Sequence, residues 1–471
     1  MEFVMKNKKG ADNYLWTQQD IASATHGRWL RVPPEDWRST GFCHYVPVFQ
    51  PGNILAVRTK EGEKGVSLNA ARRLHPAAFM ASTPLPESMS PFILVDNNND
   101  ALVGMGTSAR IRMSGTIVGV TGSAGKSTLT AMLTHALTEA GYSAKGSAFN
   151  ANLPVGVAWN LSSVPPDTEF VVTEMAIGKM GISSMMVRPD IAVFTNIFPA
   201  HQGHHTLQDL ARVKSDIFRG MPAGGTAVLN RDMRELGIVE EAAREKKINL
   251  LFYGHSEKCD CQLISYTAET GEVIARTDDG ILTFSMQARG VHMAVNAVAT
   301  LALFQALKLP AQAVIPGLET FRPLPGRGET TALYLSGKKI TVIDDSFNAN
   351  PGSMAASFIS LDEYPQHRCI AVLGQMEELG PGAERYHAEL ASLVNQSRIH
   401  KVICMGDLWR TFWNELATDK RGWYAKTLDE QWHCLMNVIA EGDVVLFKGS
   451  HSTGIHTLVE KIKTSGQTEN V

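Results

Sequence analysis

The run Val120-Thr-Gly-Ser-Ala-Gly-Lys-Ser-Thr128 carries the sharpest chemical signal in the chain. Small residues let the backbone close around an anion, so the N–H groups of Gly122, Ser123, Ala124 and Gly125 are expected to point inward at phosphate oxygens, with the positive end of the following helix behind them. Lys126 then reaches the terminal phosphates of a nucleoside triphosphate, and the hydroxyl of Ser127, next to Thr128, is placed to ligate Mg²⁺. The strict eight-residue pattern asks for Gly at position 120, where this chain has Val. The apolar run Thr116-Ile-Val-Gly-Val120 before the loop and the helical pattern from Lys126 to Ala140 behind it supply the strand and helix that such a loop needs.

What a bound triphosphate does depends on the other charged residues nearby. Glu174 follows the apolar run Phe170-Val-Val-Thr173, and His201 follows the run Ile191 to Ile197. In an open parallel sheet ligands gather at the carboxyl ends of strands, so both side chains are expected to face the phosphates. Ser127, Glu174 and His201 together can hold hard cations. Each also has a plain structural reading: a carboxylate at a strand end is often a solvated cap, and His201 competes with His204 and His205.

These residues need a scaffold, and the runs Phe170–Met175, Ile191–Ile197, Thr226–Asn230 and Leu250–Gly254 read as buried strands of a parallel α/β sheet. A helix is expected over Val291 to Leu307, after which Leu309-Pro310 and Phe321-Arg-Pro-Leu-Pro-Gly-Arg327 mark a boundary near 320. A hairpin around Ser336-Gly337-Lys338 and the runs Cys369–Leu373, Lys401–Met405 and Asp443–Phe447, alternating with helical patterns, predict a second doubly wound domain. Residues 1 to about 112 read as a small, proline-rich α/β domain. The expected division is therefore 1–112, 113–320 and 321–471.

Composition narrows the setting. With 44% hydrophobic and 19% charged residues, the 471-residue chain is neither disordered nor a coiled coil, and it is long enough for two to four domains. Lys and Arg number 44 against 47 Asp and Glu, a formal charge of −3, so no global field recruits nucleic acid or anionic lipid. The six cysteines are scattered apart from Cys259 and Cys261, which lack the second pair of a zinc site and read as reduced thiols. Neither a signal-peptide core nor a run of about 18 apolar residues occurs, which predicts a soluble cytoplasmic protein with no membrane partner, as the charge balance predicts no nucleic acid partner.

From about residue 16 onward the chain resembles the ATP-dependent Mur ligases, and most strongly from 116. Three C-terminal motifs make it most similar to the D-alanyl-D-alanine-adding branch (MurF type): Ile343-Asp-Asp-Ser-Phe-Asn-Ala-Asn-Pro351, Val372-Leu-Gly-Gln-Met-Glu-Glu-Leu-Gly380 and Gly442-Asp-Val-Val-Leu-Phe-Lys-Gly-Ser450. The resemblance implies a three-domain α/β architecture, with a central phosphate-loop sheet domain and a C-terminal Rossmann-like domain. It further implies that Lys126 and Ser127 bind the ATP phosphates and one Mg²⁺, with Glu174 as that metal's carboxylate, and that His201 serves a second Mg²⁺. Lys214 matches a lysine that the family carries as a carbamate facing the metal. Asn296 matches the asparagine near the adenine, and Arg327 the arginine that reaches the phosphates from the linker. Asp345, Asn348 and Asn350 would close over the nucleotide. The implied reaction is phosphoryl transfer to a carboxylate, giving an acyl phosphate that an amine attacks. ADP and phosphate are then the products, and the amine comes from an amino acid or dipeptide.

The chain also departs from the family pattern. Ala124 stands where the family often has Asn or Ser, Met293 replaces an asparagine, and His451 stands where the branch usually has Arg. The Ser/Thr-Asp-Ser/Thr-Arg motif that holds the UDP part of the muramyl substrate is absent before Pro51-Gly52, where the chain reads Cys43-His-Tyr-Val-Pro-Val-Phe-Gln50. Diphosphate oxygens buried without charged or hydrogen-bonding partners lose several kcal/mol. The expectation is thus a MurF-like ligase acting on a non-standard acid in a specialised pathway. A diverged peptidoglycan ligase and a non-catalytic nucleotide-binding homologue are the alternatives.

Overall fold

The computed structural model describes residues 15–199 and 206–468, and by internal contacts the chain forms two compact units. The first comprises Met1–Gly119, Ser143–Asp190 and Asp216–Pro222; the second comprises Val120–Tyr142, Ile191–Ser215 and Ala223–Val471. The chain passes from one to the other inside the strand Thr116–Thr121.

The first unit is built on a five-stranded sheet in the order Arg28–Arg31, Phe92–Leu94, Ala78–Ala81, Ile54–Ala56, Phe42–Cys43, antiparallel only at the Arg28–Arg31 edge. The four parallel strands, two to four residues long, work here because every residue is apolar and nearly all are buried, including Phe42, Leu55, Met80 and Phe92, whereas the edge strand Arg28–Arg31 is exposed or half-buried. The helix Asn98–Arg112 starts at Asn97, whose side chain accepts the Asn99 and Asp100 N–H groups, and is packed so close to the helix Pro154–Ser162 that only Gly fits at 106 against Ala158. Trp16 anchors the N-terminal end by donating its indole N–H to Ser162 at 2.8 Å, under the Arg112 guanidinium at 3.7 Å. The strands Phe170–Glu174 and Ala144–Gly146 pair in parallel in this same unit.

In the second unit the strands Ile191–Phe194, Thr226–Asn230 and Asn249–Gly254 run parallel, as their apolar runs predict. The chain then does something the sequence reading did not foresee, adding a meander of Cys261–Thr267, Glu272–Thr277 and Gly280–Ser285. Helices Lys126–Glu139 and Val291–Ala306 pack on each other. The expected hairpin is present as Glu329–Leu335 with Lys338–Asp345. It belongs to a seven-stranded sheet in the order Arg421–Ala425, Ile399–Met405, Cys369–Gly374, Val444–Lys448, Lys338–Asp345, Glu329–Leu335, Gln467–Thr468. The first five are parallel and apolar clusters cover both faces, one around Phe358, Trp409 and Phe412, the other around Leu435, Phe447 and Leu458. Among the described residues no helix is long and apolar enough to cross a membrane.

Candidate active site

The loop after Thr121 turns on two glycines. Gly122 sits at φ +144°, where an added Cβ would overlap the Thr195 hydroxyl, and Gly125 at φ +79° is the N-cap of the helix Lys126–Glu139. No side chain caps that helix, so its first N–H groups and its positive end face the loop, the arrangement that holds a phosphate.

Two ammonium groups converge on one carbonyl: Lys126 Nζ and Lys214 Nζ donate to Gly122 O at 3.0 and 2.9 Å. Lys214, on the helix Leu207–Ser215, is only 4% exposed. Two like charges brought together inside a protein favour an anion at the same place, and a triphosphate supplies one.

Sequence reasoning missed how the loop is braced. Thr195 Oγ1 donates to Ala124 O at 2.6 Å, and Asn196 Oδ1 accepts the Ala124 N–H at 2.8 Å while its Nδ2 donates to Ala124 O at 3.2 Å. The Ser123 N–H goes to Asn196 O at 2.9 Å, and Ser123 Oγ accepts the Phe198 N–H and donates to Phe198 O. The N–H groups of Ser123 and Ala124, expected to face phosphate, are therefore taken up by Asn196. The phosphate-facing role passes to the amides at the helix start. The available signal was the polar pair Thr195-Asn196 closing an apolar run.

Of the residues assigned to the nucleotide from elsewhere in this unit, Asn296, Arg327 and Asn350 reach the loop, while Asp345 and Asn348 bond elsewhere. Asn296 is buried on the helix Val291–Ala306, and a Cβ on Gly125 would meet its Oδ1 at 3.7 Å. Arg327 Nη2 donates to Ser127 Oγ at 3.1 Å, with its guanidinium stacked 4.0 Å over Phe347. The linker is held by Gly328 N–H to Asp344 O and by Phe347 N–H to Gly326 O, at 2.8 and 3.1 Å. Asn350 Nδ2 reaches Ser123 O at 3.4 Å, while its Oδ1 caps the helix Pro351–Ser360. Asn348 is exposed, its Oδ1 accepting the Ala349 N–H. Asp345 Oδ2 accepts from Lys448 Nζ and Ser357 Oγ, both at 2.6 Å. Lys448, 1% exposed, is a second residue the sequence reading left without a role: it neutralises and orients Asp345.

Behind these lies His292, half-buried, its enclosed Nδ1 without a hydrogen-bond partner and its basicity lowered by burial against the opposing pull of Asp345. A cavity of about 20 Å³ lined by His292, Asp345, Ser357 and Glu363 has room for one water there. Next to Phe347, the His451 and His456 rings stack at 4.0 Å and 18°.

Glu174, in the first unit, ends the strand Phe170–Glu174, is 3% exposed, and its Oε1 accepts from Asn152 Nδ2 at 2.7 Å. A buried carboxylate and the Ser127 hydroxyl are hard oxygen donors of the kind Mg²⁺ takes. Lys214 as a free amine donates hydrogen bonds and is no metal ligand; only its carbamate would be. His201, with His204 and His205, lies outside the described residues.

Residues 120–304 match the Mur ligase middle domain, and residues 326–451 match the Mur ligase glutamate ligase domain. The UDP-N-acetylmuramoyl-tripeptide–D-alanyl-D-alanine ligase of Synechocystis is 29% identical over 451 residues, covering 92% of this chain and 94% of the relative. The Escherichia coli ligase of the same name is 27% identical over 402 residues, covering 83% and 86%. Among solved structures, MurF from Acinetobacter baumannii superposes with a TM-score of 0.84 at 22% identity, covering 95% of this chain and 99% of that one. MurF from Thermotoga maritima, solved in complex with ADP, gives 0.76 at 24% identity, covering 90% and 97%. The chain has the three-domain Mur ligase fold and belongs to the Mur ligase family of ATP-dependent, ADP-forming ligases.

Proposed function

We propose that this chain joins the amine of D-alanyl-D-alanine to the terminal carboxylate of a UDP-muramyl tripeptide, cleaving ATP to ADP and phosphate. The observation that carries this reading is similarity to ligases of that name over 92% of the chain, N-terminal region included. It replaces the expectation of a non-standard acid, which finds no support among these relatives.

In this reading the three domains are 1–112 for the acid, 113–320 for ATP and 321–471 for closing over the nucleotide. Lys126, Arg327 and the helix start at Lys126 offset the charge of a carboxylate approaching a triphosphate. Mg²⁺, held by Ser127 and Glu174 with His201 and a carbamylated Lys214 at a second ion, would add the remaining positive charge. Asn296 holds the adenine side, and Lys448 keeps Asp345 aimed. Such ATP-consuming chemistry on soluble precursors belongs to the cytoplasm.

A specific observation favours a second reading, a different acid substrate. The segment before Pro51 is the exposed turn Val46-Pro-Val48, and neighbouring His44 is kept neutral by burial and by the nearby charge of Lys64, so the imidazole itself offers a diphosphate no positive charge. Calorimetric titration of UDP-muramyl tripeptide with a non-hydrolysable ATP analogue present decides between the two. Micromolar binding, followed by ADP release on adding D-alanyl-D-alanine, is the expected result. No binding, with ADP release from another acid, would hand the assignment to the second reading. ATP binding without turnover on any acid and amine would point to a non-catalytic homologue.

A further inference from the structure

In the C-terminal sheet a cation stands immediately before each of three neighbouring parallel strands: Arg368 before Cys369–Gly374, Arg398 before Ile399–Met405 and Lys420 before Arg421–Ala425. Parallel strands bring these three positions to one edge, the amino edge, where with His367 and His400 they line a pocket of about 370 Å³. Asp345 and Lys448 end their own strands at the opposite, carboxyl edge, so this pocket is separate from the nucleotide residues.

The bonding inside the pocket shows which cations are spoken for. Arg368 is matched by Asp443, Nε to Oδ1 at 2.9 Å and Nη2 to Oδ2 at 2.7 Å, and is structural. Arg398 and Lys420 have no carboxylate within ion-pair distance among the described residues. Lys420 Nζ rests on the carbonyls of Ser397 and Ile399 at 2.9 and 2.7 Å, and Arg398 Nη1 makes one long bond of 3.4 Å to Pro365 O. Asp362 accepts the Arg398 backbone N–H at 2.9 Å but lines the neighbouring hollow instead of this one. His400 Nδ1 accepts the Cys369 N–H at 3.1 Å, which places its proton on Nε2 as a further donor. His367 is fixed the other way, its Nδ1 donating to Gly442 O at 2.8 Å.

We propose that this pocket binds a compact dianion of the phosphate class, as inorganic phosphate or a small phosphate monoester, at a site remote from the chemistry. A planar fork, an ammonium and an imidazole N–H converging without a carboxylate suit a tetrahedral dianion, and the volume admits a phosphate with a few attached atoms.

The test uses the full chain with ¹⁵N-labelled histidine, the His400 resonance being identified through His400→Gln. Inorganic phosphate and glycerol phosphate are titrated at low salt, with succinate as the non-tetrahedral dianion. The expected result is a saturable His400 shift with phosphate, at least about tenfold weaker in Arg398→Glu and at high chloride, and unaltered in Lys126→Ala, which removes the competing phosphate site. The proposal is overturned by a His400 signal that does not move, by one that moves equally in Arg398→Glu, or by a stronger response to succinate. A monoester response exceeding that of phosphate identifies the organic source. Arg398→Ala, with less charge change, repeats the comparison where the Glu variant does not fold.

Discussion

The shared carbonyl of Gly122 makes Lys126 and Lys214 the most informative pair of residues. Lys126→Ala removes charge aimed at the transferring phosphoryl group, and the expected loss in kcat is about 10²- to 10³-fold, the size seen when one such electrostatic contact is deleted. Steady ADP release by the variant at the parent rate would reduce the loop to a structural turn. Lys214 is a different case because its ammonium is buried beside that of Lys126, both donating to Gly122 O. Carbamylation by carbon dioxide, with release of two protons from the ammonium, would turn Lys214 into an anion and remove the like-charge conflict with Lys126. Mass analysis under bicarbonate should find the added carbon dioxide, and Lys214→Ala should lose turnover that acetate or formate partly restores. A bare amine together with full activity of the variant would dispose of the carbamate.

At the scale of elements, the loop depends on the strand end Thr195-Asn196 as much as on its own glycines. Gly122→Ala places a Cβ on the Thr195 hydroxyl at a φ of +144°, so the loop must shift and the Thr195 bond to Ala124 O must lengthen. Nucleotide affinity should fall at least about tenfold by calorimetry, for a destabilisation of about 1–3 kcal/mol, as expected for strain at a special backbone position. Equal affinity in the two proteins would show that Thr195 is not a brace. In the first unit, burial, aided by Lys64, lowers the His44 pKa from 6.5 to about 4. The unfolded chain then binds the extra proton between those two values, so stability is full above about pH 6.5 and declines toward pH 4. His44→Phe should flatten that acid limb in urea midpoints taken at pH 7.5 and 5, and an unchanged slope would assign it to other groups. The central parallel strands were legible because each is a continuous apolar run, whereas the parallel strands Arg421–Ala425 and Ala144–Gly146, mixed in polarity and partly exposed, were not. The meander Cys261–Ser285 was not, since its strands are half exposed and mix polar with apolar residues. The strands of the first sheet, two to four residues long, are too short for any periodicity to register. Asn196 escaped for another reason: its bond to Ala124 spans 72 residues of sequence, which no local pattern encodes.

For the molecule as a whole, the order of bond making can be read from where one oxygen goes. In the proposed reaction a carboxylate oxygen of the acid attacks the terminal phosphorus of ATP and ADP leaves. The amine then attacks the acyl carbon, and phosphate departs carrying that same oxygen. In the proposed reading Lys126 and Arg327 on Ser127 hold the triphosphate by its far end, which favours cleavage at the terminal phosphate. UDP-muramyl tripeptide labelled with ¹⁸O in its terminal carboxylate should therefore yield one ¹⁸O per released phosphate and unlabelled ADP, with D-alanyl-D-alanine required for sustained turnover. Label appearing in AMP would mean attack on the innermost phosphorus with loss of pyrophosphate, and unlabelled phosphate would mean that water, not the acid, takes the phosphoryl group.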